Sequence, residues 1–452
     1  LCPTGGIIKL HVLTINHNHR MKNLKYALAF LGLSATFLPE STQAQEFFKD
    51  RKLYLNEDGS NYVKFTFMTQ AWLRSMDYNP GTTINGVEKN NGTDIGIRRY
   101  RVQMYGQLTD RVFAYSQFGE NNFNTISERK LGFFVHDAYG EYAVDKTKLS
   151  IGVGLSGWSG LSRFSSPSVG SILGIDAPLF LQTTNDVNDQ FLRKLSVFVK
   201  GKLGKLDYRL QMADPLEVKD SPPIVNEATF STDPSEMQWN GYFQYQFLDQ
   251  ESNMTPYLTG TYQGKKKVFN IGAGFIYQKD AMWMLNTTGD VEKSDMVHFA
   301  ADVFYDAPIG AGGQAVSFYG NVTSYDFGKN YIRNGGAMNP ANGSNNPVML
   351  NGGGNSFPMY GTGTVIYAQA GYKFKDNLIG QTTLMPYVSL QHADYDRLND
   401  AMNFFDAGVN WLLDGNVSKF TVAYQNRPIY NLGGEKTGSK GAFIAQYQVL
   451  FN

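Results

Sequence analysis

Along residues 62–452, apolar and polar side chains alternate with period two over stretches of about ten residues, the repeat of a strand with one apolar face. Val63, Phe65, Phe67, Ala71 and Leu73 alternate with Lys64, Thr66, Gln70 and Arg74. Tyr100, Val102, Met104, Gly106 and Leu108 alternate with Arg99, Arg101, Gln103 and Gln107, and Trp239, Phe243, Tyr245 and Phe247 with Gln238, Asn240, Gln244 and Gln246. The pattern predicts sixteen strands: 62–76, 94–108, 111–120, 131–144, 149–155, 190–203, 206–213, 237–247, 268–278, 296–306, 314–325, 362–374, 382–394, 402–413, 418–425 and 441–452.

Alternation alone does not separate a soluble sandwich, whose apolar faces meet each other, from a barrel whose apolar face meets lipid. The connections do. Nearly every second one is short, as at Thr109-Asp110, Gly204-Lys205 and 414–417, while 77–93, 156–189, 214–236, 279–295, 326–361 and 426–440 are long. Outer-membrane barrels have this rhythm, with short periplasmic turns and long outer loops. The expected fold is therefore an all-β transmembrane antiparallel barrel of about sixteen strands. Residues 248–267 break the rhythm. They extend the flanking strands, make a periplasmic excursion, or hide a strand pair that raises the count to eighteen. Outward aromatics near strand ends, including Trp239, Tyr245, Tyr305, Trp411 and Tyr447, are expected to form interfacial girdles.

Composition agrees with a many-stranded sheet: 27 Tyr and 31 Phe favour strands, and 47 Gly supply turns. No run of eighteen apolar residues follows Ala44, so no transmembrane helix is expected. Forty basic side chains balance forty acidic ones, which gives no reason to expect a nucleic-acid partner. The single cysteine, Cys2, precedes the expected mature chain, as suits passage through an oxidising compartment. From Met21, two lysines, an apolar core from Tyr26 to Leu38, Pro39 and Thr42-Gln43-Ala44 follow in the order of a signal peptide. Residues 21–44 are read as that cleaved signal, 1–20 as an upstream extension outside the mature chain, and 45–60 as a periplasmic lead-in. Residues 61–452 are then one barrel in the bacterial outer membrane.

Several segments carry a family resemblance: GIRRYRVQMYGQLTDRVFAYSQFG at 96–119, HDAYGEY at 136–142, GLSGWSGLSRFSSPS at 154–168, NDQFLRKLSVFVKGKLGKLDYRL at 188–210 and GKKKVFNIGAGF at 264–275. In order and spacing they resemble the Bacteroidetes outer-membrane porins related to the phosphate-selective porin O and P family, from about residue 60 onward. The resemblance implies a sixteen-stranded barrel, homotrimeric among lipids that include lipopolysaccharide, passing small hydrophilic solutes by diffusion. It also implies that the third outer loop, about 156–189, folds inward and narrows the channel. Phosphate selectivity in that family rests on dense arginine and lysine ladders, of which this chain has only part.

The candidates for pore lining or constriction are Arg99, Arg101, Arg163, Asp176, Arg193, Lys194, Lys200, Lys202 and Arg209. Parity aims most of them inward, opposite Asp137, Glu141, Asp207, Asp302 and Asp406, and a narrow site of low dielectric magnifies each charge. The expectation is a mild preference for anions; the competing reading is that both signs merely hydrate a wide lumen. Asp186, Asn188 and Asp189 offer hard oxygens to calcium, though the run lacks the glycine and glutamate of an EF-hand loop. No nucleophile elbow or HExxH motif occurs, and His298 with Asp302 is explained by a polar lumen, so neither enzyme chemistry nor a cofactor is expected. The alternative function is a loop-plugged structural or accessory barrel of an envelope complex.

Overall fold

The computed structural model describes residues 48, 49 and 51–451. The signal segment 21–44, the extension 1–20 and the first residues of the lead-in lie outside the described residues. Sixteen antiparallel strands close into one barrel. They are β1 Tyr62–Asp77, β2 Asn91–Gln107, β3 Val112–Phe123, β4 Phe134–Asp145, β5 Leu149–Ser156, β6 Lys194–Leu203, β7 Leu206–Asp214 and β8 Gln238–Gln246. There follow β9 Val268–Leu285, β10 Val291–Pro308, β11 Ala315–Asp326, β12 Gly363–Lys373, β13 Thr383–Tyr395, β14 Met402–Asp414, β15 Ser418–Tyr430 and β16 Lys436–Phe451. Each strand pairs with its sequence neighbour, and β16 returns to β1 with Ala442 opposite Met76 and Phe451 opposite Phe67. Closure matters because hydrocarbon offers no hydrogen bonds, so an open edge would leave a row of amides unpaired.

Side-chain parity decides which way each residue looks. On β7 and β8, Asp207, Arg209 and Gln211 face the lumen opposite Gln244, Tyr242 and Asn240. Their neighbours Leu210, Trp239 and Tyr245 are exposed on the outside, in a band continued by Ile151, Val153, Val322, Val388, Trp411 and Tyr447. So extensive an apolar surface is incompatible with water on both faces and fits a lipid-facing wall. Phe299 on β10 is 60% exposed on this wall. Replacing it by arginine is expected to destabilise the inserted barrel by about 2–4 kcal/mol, the usual cost near the bilayer midplane. Denaturant titration of protein folded into lipid vesicles measures this.

Two expected outer loops are mostly strand: β9 and β10 pair out to Leu285 and Val291, and β15 and β16 out to Tyr430 and Lys436. Beyond the membrane both faces of a hairpin meet water, so alternation fades while backbone pairing continues. Residues 248–267 hide no strand pair, and the count remains sixteen. Instead, this turn-side connection enters the barrel, where Leu258–Thr259 pairs in parallel with Pro167–Ser168 of the third outer loop.

A basic constriction inside the barrel

Three segments enter the lumen. The third outer loop, 157–193, crosses it from β5 to the opposite wall, where Asn410 Nδ2 donates to the Leu173 carbonyl at 2.8 Å and the Ile175 amide donates to Tyr387 Oη at 2.9 Å. Ile172, Leu173 and Ile175 are buried, and the last two pack on Trp72, Met385 and Leu412. The outer loop 327–362 covers the mouth: Arg74 Nη1 and Nη2 donate to the carbonyls of Ala337 and Met338 at 3.0 and 2.7 Å. Arg74 also forms a buried ion pair with Asp94. The third segment is 248–267, from the turn side.

Between the third outer loop, residues 248–267 and the wall of β1–β3 lies a cavity of about 270 Å³. Lys64, Arg98, Arg99, Arg101 and Arg193 line it, with Gln103, Gln117, Tyr105, Tyr115 and Tyr257, and no carboxylate belongs to its lining. Arg98 Nε and Arg99 Nη2 both pair with Asp176, the former at 2.8 Å. Burial by itself raises the Asp176 carboxyl, but the two guanidiniums outweigh that and hold it below the ordinary carboxylate range. Arg193 Nε donates to Asp137 Oδ2 at 3.1 Å. Arg101 differs. Among the described residues its hydrogen bonds reach only neutral acceptors, the carbonyls of Tyr100 at 2.8 Å and Glu120 at 2.7 Å and the side-chain oxygen of Asn121. It is a buried cation without a carboxylate partner, the arrangement that favours a passing anion.

A second cavity of about 460 Å³ follows on the turn side, lined by Gln107, Phe113, Glu141, Lys200 and Lys202 of the wall and by Ser252, Asn253 and Met254. Successive inward positions line the two spaces in order, Tyr105 then Gln107 on β2 and Tyr115 then Phe113 on β3. The two spaces lie in succession along the inside of β2 and β3, with a packed aromatic cluster of Phe113, Tyr115, Tyr139, Trp158 and Phe198 beside both.

The sequence candidates separate into groups. Arg99, Arg101 and Arg193 stand at the first cavity, and Lys200 and Lys202 at the second. Arg163 faces neither: Nη1 and Nη2 donate to Glu251 Oε2 and Oε1 at 2.7 and 2.6 Å in a fully buried pair, and its guanidinium lies over Phe304. Arg209 donates to the Pro256 carbonyl at 2.7 Å. Lys194 Nζ lies 3.6 Å from Asp189, which also accepts from Thr184 at 2.7 Å, so this carboxylate of the calcium trio already serves an ammonium. Among the described residues no group of three or more His, Cys, Asp or Glu stands close enough to hold a metal. Asp302 accepts from the Arg163 amide and from Tyr242 at 2.7 and 2.9 Å, while His298 Nδ1 accepts from the Asp326 amide at 3.3 Å.

Parity missed Arg98. It faces inward beside Arg99 because the β1–β2 register slips there: Gln70 pairs with Arg99 and Ala71 with Ile97, leaving Arg98 as the extra residue of a β-bulge. Two adjacent arginines inside an otherwise alternating strand were the available signal. Glu251 and Tyr257 were also missed, because a connection between strands carries no parity.

No protein-family model matches the chain, and no curated protein sequence matches it. Among solved structures, the high-pH structure of Pseudomonas putida OprB is 8% identical, with 86% of this chain and 94% of that one covered at a TM-score of 0.51. Salmonella typhi OmpF in complex with daunomycin is 11% identical, with 87% and 99% covered at a TM-score of 0.50. Identities this low bear on the fold alone. A closed sixteen-stranded wall with an apolar outer face and a charged lumen is the fold of the outer-membrane porins, and the chain is a barrel of the bacterial outer membrane.

Proposed function

We propose that this barrel is a narrow diffusion channel for small hydrophilic solutes with a mild preference for anions. The observation that carries the reading is the first cavity, whose charged lining is entirely basic. Asp176 and Asp137 offset part of this charge from behind the arginines, and among the described residues Arg101 has no carboxylate partner. A cationic constriction of low dielectric lowers the energy of an entering anion and raises that of a cation. The neutral donors Gln103, Gln117 and Tyr105 beside it keep any one binding site weak enough to be left. Kinship with the Bacteroidetes porins related to the phosphate-selective family belongs to the same reading and is supported by the resemblance of the segments at 96–119 and 188–210, and a homotrimer and contact with lipopolysaccharide are what that kinship would bring.

One observation favours the second reading, an accessory barrel plugged by its own loops. The third outer loop and residues 248–267 meet inside the lumen and hydrogen-bond to one another. Planar-bilayer recording of the purified protein separates the two. Discrete conductance steps with an anion-selective reversal potential in a salt gradient are expected. Cation selectivity sinks the basic constriction, and a silent bilayer selects the accessory barrel.

A further inference from the structure

The hairpin from β8 to β9 is ready to close without residues 250–266. Beyond both strands, the Asp249 amide donates to the Lys267 carbonyl at 3.0 Å, and the Lys267 amide donates to Asp249 Oδ2 at 2.9 Å. Two residues would complete a tight turn at that point. The chain instead runs into the barrel and binds the third outer loop at Glu251 and along 257–261. The Leu258 amide donates to the Ser166 carbonyl and the Thr261 amide to the Ser171 carbonyl, both at 2.9 Å. Between them, Gly260 sits so close that a Cβ would stand 2.7 Å from Ile172 Cα and from the Ser171 carbonyl oxygen. Glu251 closes the joint. It takes the two bonds from Arg163, a third from Tyr262 Oη at 2.7 Å and a fourth from Asn270 Nδ2 at 2.5 Å. Burial pushes this carboxyl up, and the Arg163 guanidinium more than reverses the effect, so it stays ionised below the ordinary carboxylate range.

The same segment offers backbone carbonyls to three cations that sequence parity aims at the pore. Lys200 donates to the Asn253 carbonyl at 2.7 Å and also pairs with Glu141 of the wall at 2.8 Å, Lys202 donates to the Glu251 carbonyl, and Arg209 to the Pro256 carbonyl at 2.7 Å. Thr255 and Tyr257 wall the first cavity, and 252–254 wall the second. Tyr257 Oη donates to Asp137 Oδ1 at 2.5 Å and accepts from Arg193 Nη2 at 2.9 Å, which sets where that arginine points.

We propose that residues 250–262 are a strap that sets the width and charge of the conducting path. Held against the outer loop, it narrows the path and occupies Lys200, Lys202 and Arg209; displaced, it leaves a wider and more strongly basic lumen. The proposal rests on the diffusion-channel reading above, and the test distinguishes the two.

Bilayer recordings compare the full chain with a variant in which Asn-Gly replaces 250–266, with Glu251→Gln, and with Glu251→Gln carrying the pair Ser168→Cys and Thr259→Cys at the bridge. Migration of the unheated barrel in detergent gels confirms folding. The shortened chain is expected to conduct at least three-fold more while keeping or raising its anion-to-cation permeability ratio. Glu251→Gln is expected to add larger openings, which the disulfide suppresses and reductant restores. A folded shortened chain with unchanged conductance overturns the strap and leaves the channel reading standing. Loss of anion preference on widening overturns the masking of the three cations. If the shortened chain does not fold, Glu251→Gln without added openings overturns the strap instead. A silent full-length barrel whose shortened form conducts supports the strap and overturns the open-channel reading; silence of both overturns both.

Discussion

Arg101→Gln is expected to remove much of the anion preference while leaving the barrel intact. The glutamine amide can still donate to one of the neutral acceptors that hold Arg101, the Tyr100 and Glu120 carbonyls and Asn121, so the change subtracts charge more than it disturbs structure. A unit charge about 5 Å from a passing ion contributes roughly 1–3 kcal/mol at effective dielectric constants between 80 and 20. That corresponds to a change of about five-fold to about 150-fold in relative permeability at low salt. The effect should shrink towards 1 M salt, where screening acts within a few ångströms. The double variant Arg98→Gln with Arg99→Gln is the contrast. It subtracts two charges and also strips Asp176 of both its partners, so inversion to cation selectivity is expected. Reversal potentials for the three proteins in matched gradients decide the matter. An Arg101→Gln channel as anion-selective as the parent places the selective step elsewhere.

Arg74→Met is expected to release the outer loop 327–362 from the barrel mouth. Arg74 is fully buried, pairs with Asp94 and donates to two carbonyls of that loop. Removing one member of a buried pair leaves the other charge uncompensated, typically at about 3–5 kcal/mol. Here the cost falls on the docked loop rather than on the wall, because the backbone ladder between β1 and β2 does not depend on this side chain. Amide exchange in the segment around 332–361 is expected to quicken by two or more orders of magnitude, while the β1–β2 amides stay protected. Replacing Asp94 by leucine in the same chain should recover part of the loss, since the stranded carboxylate is then gone. Equal protection in parent and variant would show that the loop is held by its other contacts, such as Asn79 Nδ2 to the Ser356 carbonyl at 2.7 Å.

The wall was legible in the sequence because its rule is local. A strand between lipid and a polar lumen repeats every two residues, so Arg99, Lys200 and Arg209 could be aimed inward from their positions alone. The rule failed where register slips, at Arg98, and where pairing continues into water, at 279–285 and 426–430. It had nothing to say about which side chains inside the lumen meet. Arg163 and Glu251 lie far apart in the chain and on connections from opposite ends of the barrel.

Alternation and the short-long rhythm of connections thus determined the closed antiparallel wall, its outer apolar face and the inward set of charges, because each depends on neighbours along a strand. The inward course of 248–267, its joint with the third outer loop and the choice of which arginines face the cavity were decided only in the tertiary structure. There, buried cations take whichever carboxylate or carbonyl the fold brings near, and desolvation penalises every other arrangement.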